Sequence, residues 1–82
     1  MQYKLKLKSE AERDLSRLSS DVALRVLRKI EHMRNDLAGD VKRLVHFTPG
    51  LRLRVGDWRV LFAVENDTIV VWRVVHRSEA YE

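Results

Sequence analysis

The clearest pattern of apolar and polar positions is a pair of alternating runs, Leu51-Arg52-Leu53-Arg54-Val55 and Trp58-Arg59-Val60-Leu61-Phe62, flanking Gly56-Asp57. Gly-Asp suits a two-residue hairpin loop that needs positive φ, so the stretch predicts a β-hairpin. Such a loop sets Val55 opposite Trp58, Arg54 opposite Arg59, Leu53 opposite Val60 and Arg52 opposite Leu61. One face is then Leu51, Leu53, Val55, Trp58, Val60 and Phe62, which is wholly apolar and reads as core. The other carries Arg52, Arg54 and Arg59.

Before the hairpin, residues 3 to 8 alternate Tyr, Lys, Leu, Lys, Leu, Lys, predicting a first strand with Tyr3, Leu5 and Leu7 inward. Its lysines discourage edge-to-edge pairing. Ser9-Glu10-Ala11-Glu12 fits a capping box and starts a helix with Ala11, Leu15 and Leu18 as its stripe. Ser19, Ser20 and Asp21 supply a break and new N-caps. A longer helix follows on Val22, Val26, Ile30, Met33 and Leu37, joined by Ala23 and Leu27, with Gly39 as its C-terminal cap. Together the two helices make an αα-hairpin.

A second strand is expected over Lys42 to Phe47, ended by Thr48-Pro49-Gly50. After the central hairpin, Glu65-Asn66-Asp67-Thr68 turns the chain into a last strand, Ile69 to His76. Its register has two solutions. A two-residue Asn66-Asp67 loop sends Val70, Trp72, Val74 and His76 to the arginine face, with Arg73 toward the core. A one-residue slip sends Ile69, Val71, Arg73 and Val75 there instead. The order β, α, α and then antiparallel strands predicts a single α+β domain over residues 1 to 82, with both helices packed on one sheet face.

Composition narrows the class. At 82 residues and 45% hydrophobic content the chain builds one core and one shallow site. It has no cysteine, so neither disulfides nor thiolate metal sites enter the reading. The alternating N-terminus lacks the continuous apolar run of a signal peptide, and no stretch approaches membrane-spanning length. A cytoplasmic protein with no membrane partner is expected. Sixteen Lys and Arg against twelve Asp and Glu give a net charge of +4, which favours nucleic acid or an acidic protein.

Charge placement says more than charge total. Arg54 and Arg59 directly opposed are disfavoured by like-charge repulsion, and an anion lying across them removes the conflict. Arg25, Arg28, Lys29, His32 and Arg34 on the long helix could contact phosphates, but they read as an ordinary solvated face. Glu10, Glu12, Asp14 and Glu31 read as caps and helix-surface charges, and His32 and His46 belong to no ligand-spaced cluster. No metal or other cofactor is expected. Trp72 stacks a base if it shares the arginine face, but is expected to fill the core.

Two segments carry a family resemblance. Leu51-Arg52-Leu53-Arg54-Val55-Gly56-Asp57-Trp58-Arg59-Val60 resembles the "yRlRvGdyRv" segment of the RelE/ParE toxin superfamily of prokaryotic toxin-antitoxin modules. Val74-Val75-His76-Arg77-Ser78-Glu79-Ala80-Tyr81 resembles its closing "vgHRxevY". RelE-like members are ribosome-dependent ribonucleases that cut mRNA in the decoding site, whereas ParE-like members poison DNA gyrase. By position, Arg52 and Arg54 match two basic residues that contact the mRNA backbone. Arg59 matches the arginine on the scissile phosphate, Tyr81 a tyrosine that orients the substrate or attacking group, and Arg77 or His76 the remaining C-terminal basic position. The resemblance implies a RelE-like fold and a cognate antitoxin. It also implies a ribosome carrying mRNA, with 16S rRNA contacts, and promoter DNA bound only by the toxin-antitoxin complex.

The implied reaction needs few parts. The ribose 2′-hydroxyl attacks the adjacent phosphorus, so a base takes one proton, an acid protonates the leaving 5′-oxygen, and cations stabilise the phosphorane. Arg52, Arg54 and Arg59 suit the third task. None acts as a lysine-type base, because guanidinium stays protonated. His76 is the expected proton carrier, with Tyr81 behind it. Two other readings stay open: a gyrase poison, which needs no proton transfer, and a non-catalytic basic module that binds nucleic acid.

Overall fold

The computed structural model describes residues 1–80. Its elements are β1 (Lys4–Leu7), α1 (Ser9–Ser16), α2 (Ser20–Met33), β2 (Val41–Arg43), β3 (Leu51–Val55), β4 (Trp58–Glu65), β5 (Thr68–His76) and a short 3-10 turn, Arg77–Glu79. The five strands form one sheet in the order β1-β5-β4-β3-β2. β1 runs parallel to β5 and every other pair is antiparallel. The α+β expectation therefore holds, with a parallel strand added at one edge.

Alternation along the strands decides where the core sits. Leu53, Val55, Val60, Phe62, Ile69, Val71 and Val74 point to one face and meet Ala11, Val26, Ile30 and Met33 of the helices. Phe62, Ile30, Met33 and Leu53 are the largest fully buried side chains there, and burying each such group stabilises the fold by about 1.5–3 kcal/mol. Leu5 and Leu7 pack against the same cluster, while Lys4 and Lys6 stay exposed on the other side of the edge strand.

Three boundaries differ from expectation. Helix α1 begins at Ser9 without a capping box: Lys8 is the N-cap, and the Ser9 hydroxyl donates to Glu10 instead. The Lys8 amide is tied to the Val71 carbonyl at 2.9 Å, which holds Lys8 in extended geometry and lets Ser9 enter the first turn. Helix α2 stops at Met33, short of Gly39. The N-terminal segment takes its place as a partner: Tyr3 N donates to Arg34 O, Asp36 N donates to Met1 O, and Arg34 Nε donates to Tyr3 O. Asp36 and Leu37 then adopt positive φ, yet Leu37 still packs on the core. The second strand keeps only Val41–Arg43, because Arg43 already faces Leu51 and residues 44–50 must close the loop, with Leu44 N donating to Gly50 O.

Candidate functional site

The central hairpin has the predicted register, with Arg54 opposite Arg59 and Val55 opposite Trp58 across a Gly56-Asp57 loop in which Gly56 has φ 59°. The last strand adopts both of its registers in succession. From the Asn66-Asp67 loop, Val64 pairs Ile69 and Phe62 pairs Val71; past a β-bulge, Leu61 pairs Arg73, Val60 pairs Val74 and Trp58 pairs His76. Trp72 is the extra residue of the bulge. Ile69, Val71 and Val74 thus all reach the core, and Arg73 escapes it.

Residues paired across neighbouring strands share a face. On the face away from the helices, Lys42, Arg52, Leu61 and Arg73 form one row, and Arg54, Arg59 and Val75 form the next. Lys6 joins through Val70, and Lys4 through Thr68. The open face is therefore basic along most of its width. Trp72 sits at its edge rather than in the core, half-buried, with the Lys8 ammonium 3.5 Å from the ring centroid.

The three hairpin arginines are not equivalent. Arg54 is exposed, whereas Arg52 and Arg59 are each only 7% exposed. Arg52 donates to the Asp40 carbonyl at 2.8 Å and carboxylate at 3.2 Å. Arg59 Nη1 donates to the Gly56 and Trp58 carbonyls at 2.9 and 3.0 Å. Those bonds turn the Arg59 guanidinium toward the hairpin loop, which supplies a folding reason for the Arg54 and Arg59 pair that the strand pattern alone does not contain.

More cations converge on that loop. The Arg77 amide donates to the Asp57 carbonyl at 2.7 Å, and its exposed guanidinium lies 3.8 Å from the Asp57 carboxylate. Arg25 comes from α2: its Nη2 lies 3.2 Å from where a Cβ on Gly56 would sit. Arg25 is the cation of its helix face that reaches the loop, which helix periodicity alone does not single out from Arg28, Lys29, His32 and Arg34.

His76 goes elsewhere. Past the bulge it pairs with Trp58 on the helix side, its ring edge-on to the indole at a 5.3 Å centroid distance. Its Nδ1 accepts from Ser78 N and contacts the Ser78 hydroxyl at 2.9 Å, capping the 3-10 turn. The arginine face and His76 are thus on opposite sides of the sheet, and Tyr81 lies outside the described residues. Asp14 was the other surprise. Far from a helix-surface charge, it accepts from Arg73 Nε at 2.7 Å, Arg73 Nη2 at 3.1 Å and Val74 N at 2.9 Å. Burial pushes its carboxyl up, but the hydrogen bonds from Arg73 and Val74 and the charges of Arg73 and Arg17 outweigh it and hold it below the usual carboxylate range.

Residues 5–81 match the family model described as the ParE toxin of the type II toxin-antitoxin system parDE. The chain is a toxin of the RelE/ParE superfamily. The toxin is also 32% identical over 75 residues to Toxin RelE3 of Methanocaldococcus jannaschii, covering 85% of each chain. Its fold superposes on a RelB-RelE antitoxin-toxin complex from Methanococcus jannaschii with a TM-score of 0.73 and 27% identity, covering 89% of this chain and 91% of that one. The RelBE2 complex of Mycobacterium tuberculosis gives 0.80 at 23% identity over 94% and 100% of the two chains, which speaks for the fold. Among the described residues of the toxin no group of three His, Cys, Asp or Glu is arranged to hold a metal ion, and no helix is long and apolar enough to cross a membrane.

Proposed function

We propose that the toxin is a RelE-type endoribonuclease that cuts mRNA in the ribosomal A site. The observation that carries this reading is the arginine cluster around the Gly56-Asp57 loop, with exposed Arg54 beside Arg59 and Arg77 on the same turn. In the proposed reaction the 2′-hydroxyl attacks the neighbouring phosphorus, giving a 2′,3′-cyclic phosphate as the 5′-oxygen leaves. Arg54 and Arg59 stabilise the phosphorane charge, Arg52 and Arg77 flank the RNA backbone, and no metal is required. His76, on the helix side, takes a positioning role: as cap of the 3-10 turn it fixes the start of the segment carrying Arg77 and Tyr81. Tyr81 is then the candidate for proton transfer. The ribosome, through mRNA and 16S rRNA contacts, supplies alignment and much of the rate.

The same proposal gives the toxin a cytoplasmic location and a cognate antitoxin. The solved relatives are toxin-antitoxin complexes, and an acidic partner laid over the open face neutralises the cations there. Promoter DNA is a partner of the complex alone. The test is primer extension on mRNA from a purified translation reaction, with and without ribosomes, for the wild type, Arg54→Ala, Arg59→Ala and Tyr81→Phe, each checked for folding. Ribosome-dependent cuts, lost in Arg59→Ala, support the reading. Intact mRNA with arrested cells overturns it. The match to a ParE model favours one second reading, inhibition of DNA gyrase, for which gyrase-dependent DNA breakage is the assay.

A further inference from the structure

Beside the arginines the open face carries a cleft of about 290 Å³, lined by Thr48, Pro49, Leu61, Trp72, Arg73, Val75 and Glu79. Its floor is tied to the cations by register: Leu61 is the cross-strand partner of Arg52, and Val75 of Arg59. Neighbouring strands lie about 4.8 Å apart, so a group extending from a phosphate held at Arg54 and Arg59 reaches the cleft within one nucleotide.

The lining suits a base better than a second phosphate, because the arginine in it, Arg73, is already held by both oxygens of the Asp14 carboxylate. Leu61 and Val75 are apolar and buried, Pro49 comes from the loop over residues 44–50, and Trp72 offers an aromatic ring whose surface is shared with the Lys8 ammonium. Trp72 Nε1 is closed off from solvent and has no acceptor among the described residues. Native proteins rarely leave a buried donor so without a reason. A ribose or phosphate oxygen of a nucleotide whose base lies on the ring face supplies the missing acceptor once the ring swings Nε1 into the cleft. Glu79, exposed at the rim, repels a phosphate but accepts a hydrogen bond from an exocyclic amino group.

We propose that this cleft is a nucleobase subsite, in which Trp72 stacks one base of the bound RNA and Glu79 selects bases with an exocyclic amino group over uracil. The proposal rests on the nuclease reading for its ligand class, and its test is independent of cleavage. The probes are cytidine and uridine 3′-monophosphates, titrated into the isotope-labelled toxin with the indole and amide signals followed by NMR. Cytidine monophosphate should shift the Trp72 indole signal saturably while the Trp58 indole stays still, and uridine monophosphate should bind about tenfold more weakly, the value of one charge-assisted hydrogen bond. Glu79→Gln, at an exposed position that leaves the fold intact, should erase the difference, and Trp72→Leu should remove the base-dependent binding. Shifts confined to the arginine loop, or equal binding of the two nucleotides to the wild type, overturn the subsite. If the cleft binds cytidine monophosphate while mRNA stays whole on ribosomes, the nuclease reading fails and the subsite stands.

Discussion

Replacing Asp14 tests how the last strand is held. β1 stops pairing with β5 at Val71, so the outer edge of the strand beyond the bulge lacks a neighbouring strand, and the Asp14 carboxylate accepts from Val74 N in its place. In Asp14→Ala the Val74 amide, on a residue only 3% exposed, loses its partner, at a cost of about 1–3 kcal/mol. The ion pair with Arg73 adds little, about 0–1 kcal/mol, because the Arg73 side chain is 48% exposed. The sum is about 1–4 kcal/mol, or roughly 5–30 °C in Tm for a domain of this size. Arg73→Ala should cost at most about 1 kcal/mol, since Asp14 still accepts from Val74. Urea unfolding followed by circular dichroism measures both. Equal losses in the two variants, or a loss under about 0.5 kcal/mol in Asp14→Ala, refute the assignment of Asp14 as the strand's surrogate partner.

The pH dependence has a definite sign. The folded-state pKa of Asp14 is lowered, so the unfolded chain binds its proton first as pH falls, and the carboxylate's contribution is complete only above the ordinary value of about 3.9. The stability gap between wild type and Asp14→Asn should be constant from pH 7 to about pH 5. It should shrink as pH drops through about 4 and toward the lower folded value.

Two smaller predictions concern the hairpin. Gly56→Ala places a Cβ at φ 59° and 3.2 Å from Arg25 Nη2, so it should cost about 1–2 kcal/mol in the same unfolding assay, and Arg25→Ala should relieve little of it because the backbone strain remains. Arg54→Ala should lower the slope of log affinity against log salt for single-stranded RNA by about 0.7, one phosphate contact's worth, measured by fluorescence anisotropy at several salt concentrations.

Much of the fold was legible because alternation is a direct record of burial. The β3–β4 register followed from Gly56-Asp57 and two alternating runs, and the core list followed from it. Leu37 shows the limit of such patterns: its spacing foretold its burial but not its conformation, because the Met1 to Tyr3 segment competes for the backbone of residues 34–36. The capping box failed for a similar reason, a single hydrogen bond from Lys8 to Val71. At the site, the sequence placed Arg52, Arg54 and Arg59 on one face, as found. It could not show that Arg52 and Arg59 are buried against carbonyls, or that Arg25 and Arg77 join the loop, because those contacts cross between elements far apart in the chain.

The bulge at Trp72 is where folding and site design meet. Continuing the register set by the Asn66-Asp67 loop, an unbulged β5 would pair Arg73 with Val60 and drive a guanidinium into the core between helix and sheet, which costs several kcal/mol unless a partner is built for it. Slipping the whole strand by one residue instead would expose Ile69 and Val71. One inserted residue avoids both penalties: Ile69, Val71 and Val74 stay inside, and Arg73 swings to Asp14 at the strand's open edge. The same insertion exchanges the residues next to Arg59. Val75 comes to lie beside it, closing the floor of the cleft, and His76 turns away to Trp58. An arrangement that puts a histidine among the arginines and one that keeps the core free of charge are therefore mutually exclusive in this chain. The core decides, and His76 is kept off the open face that carries the arginines.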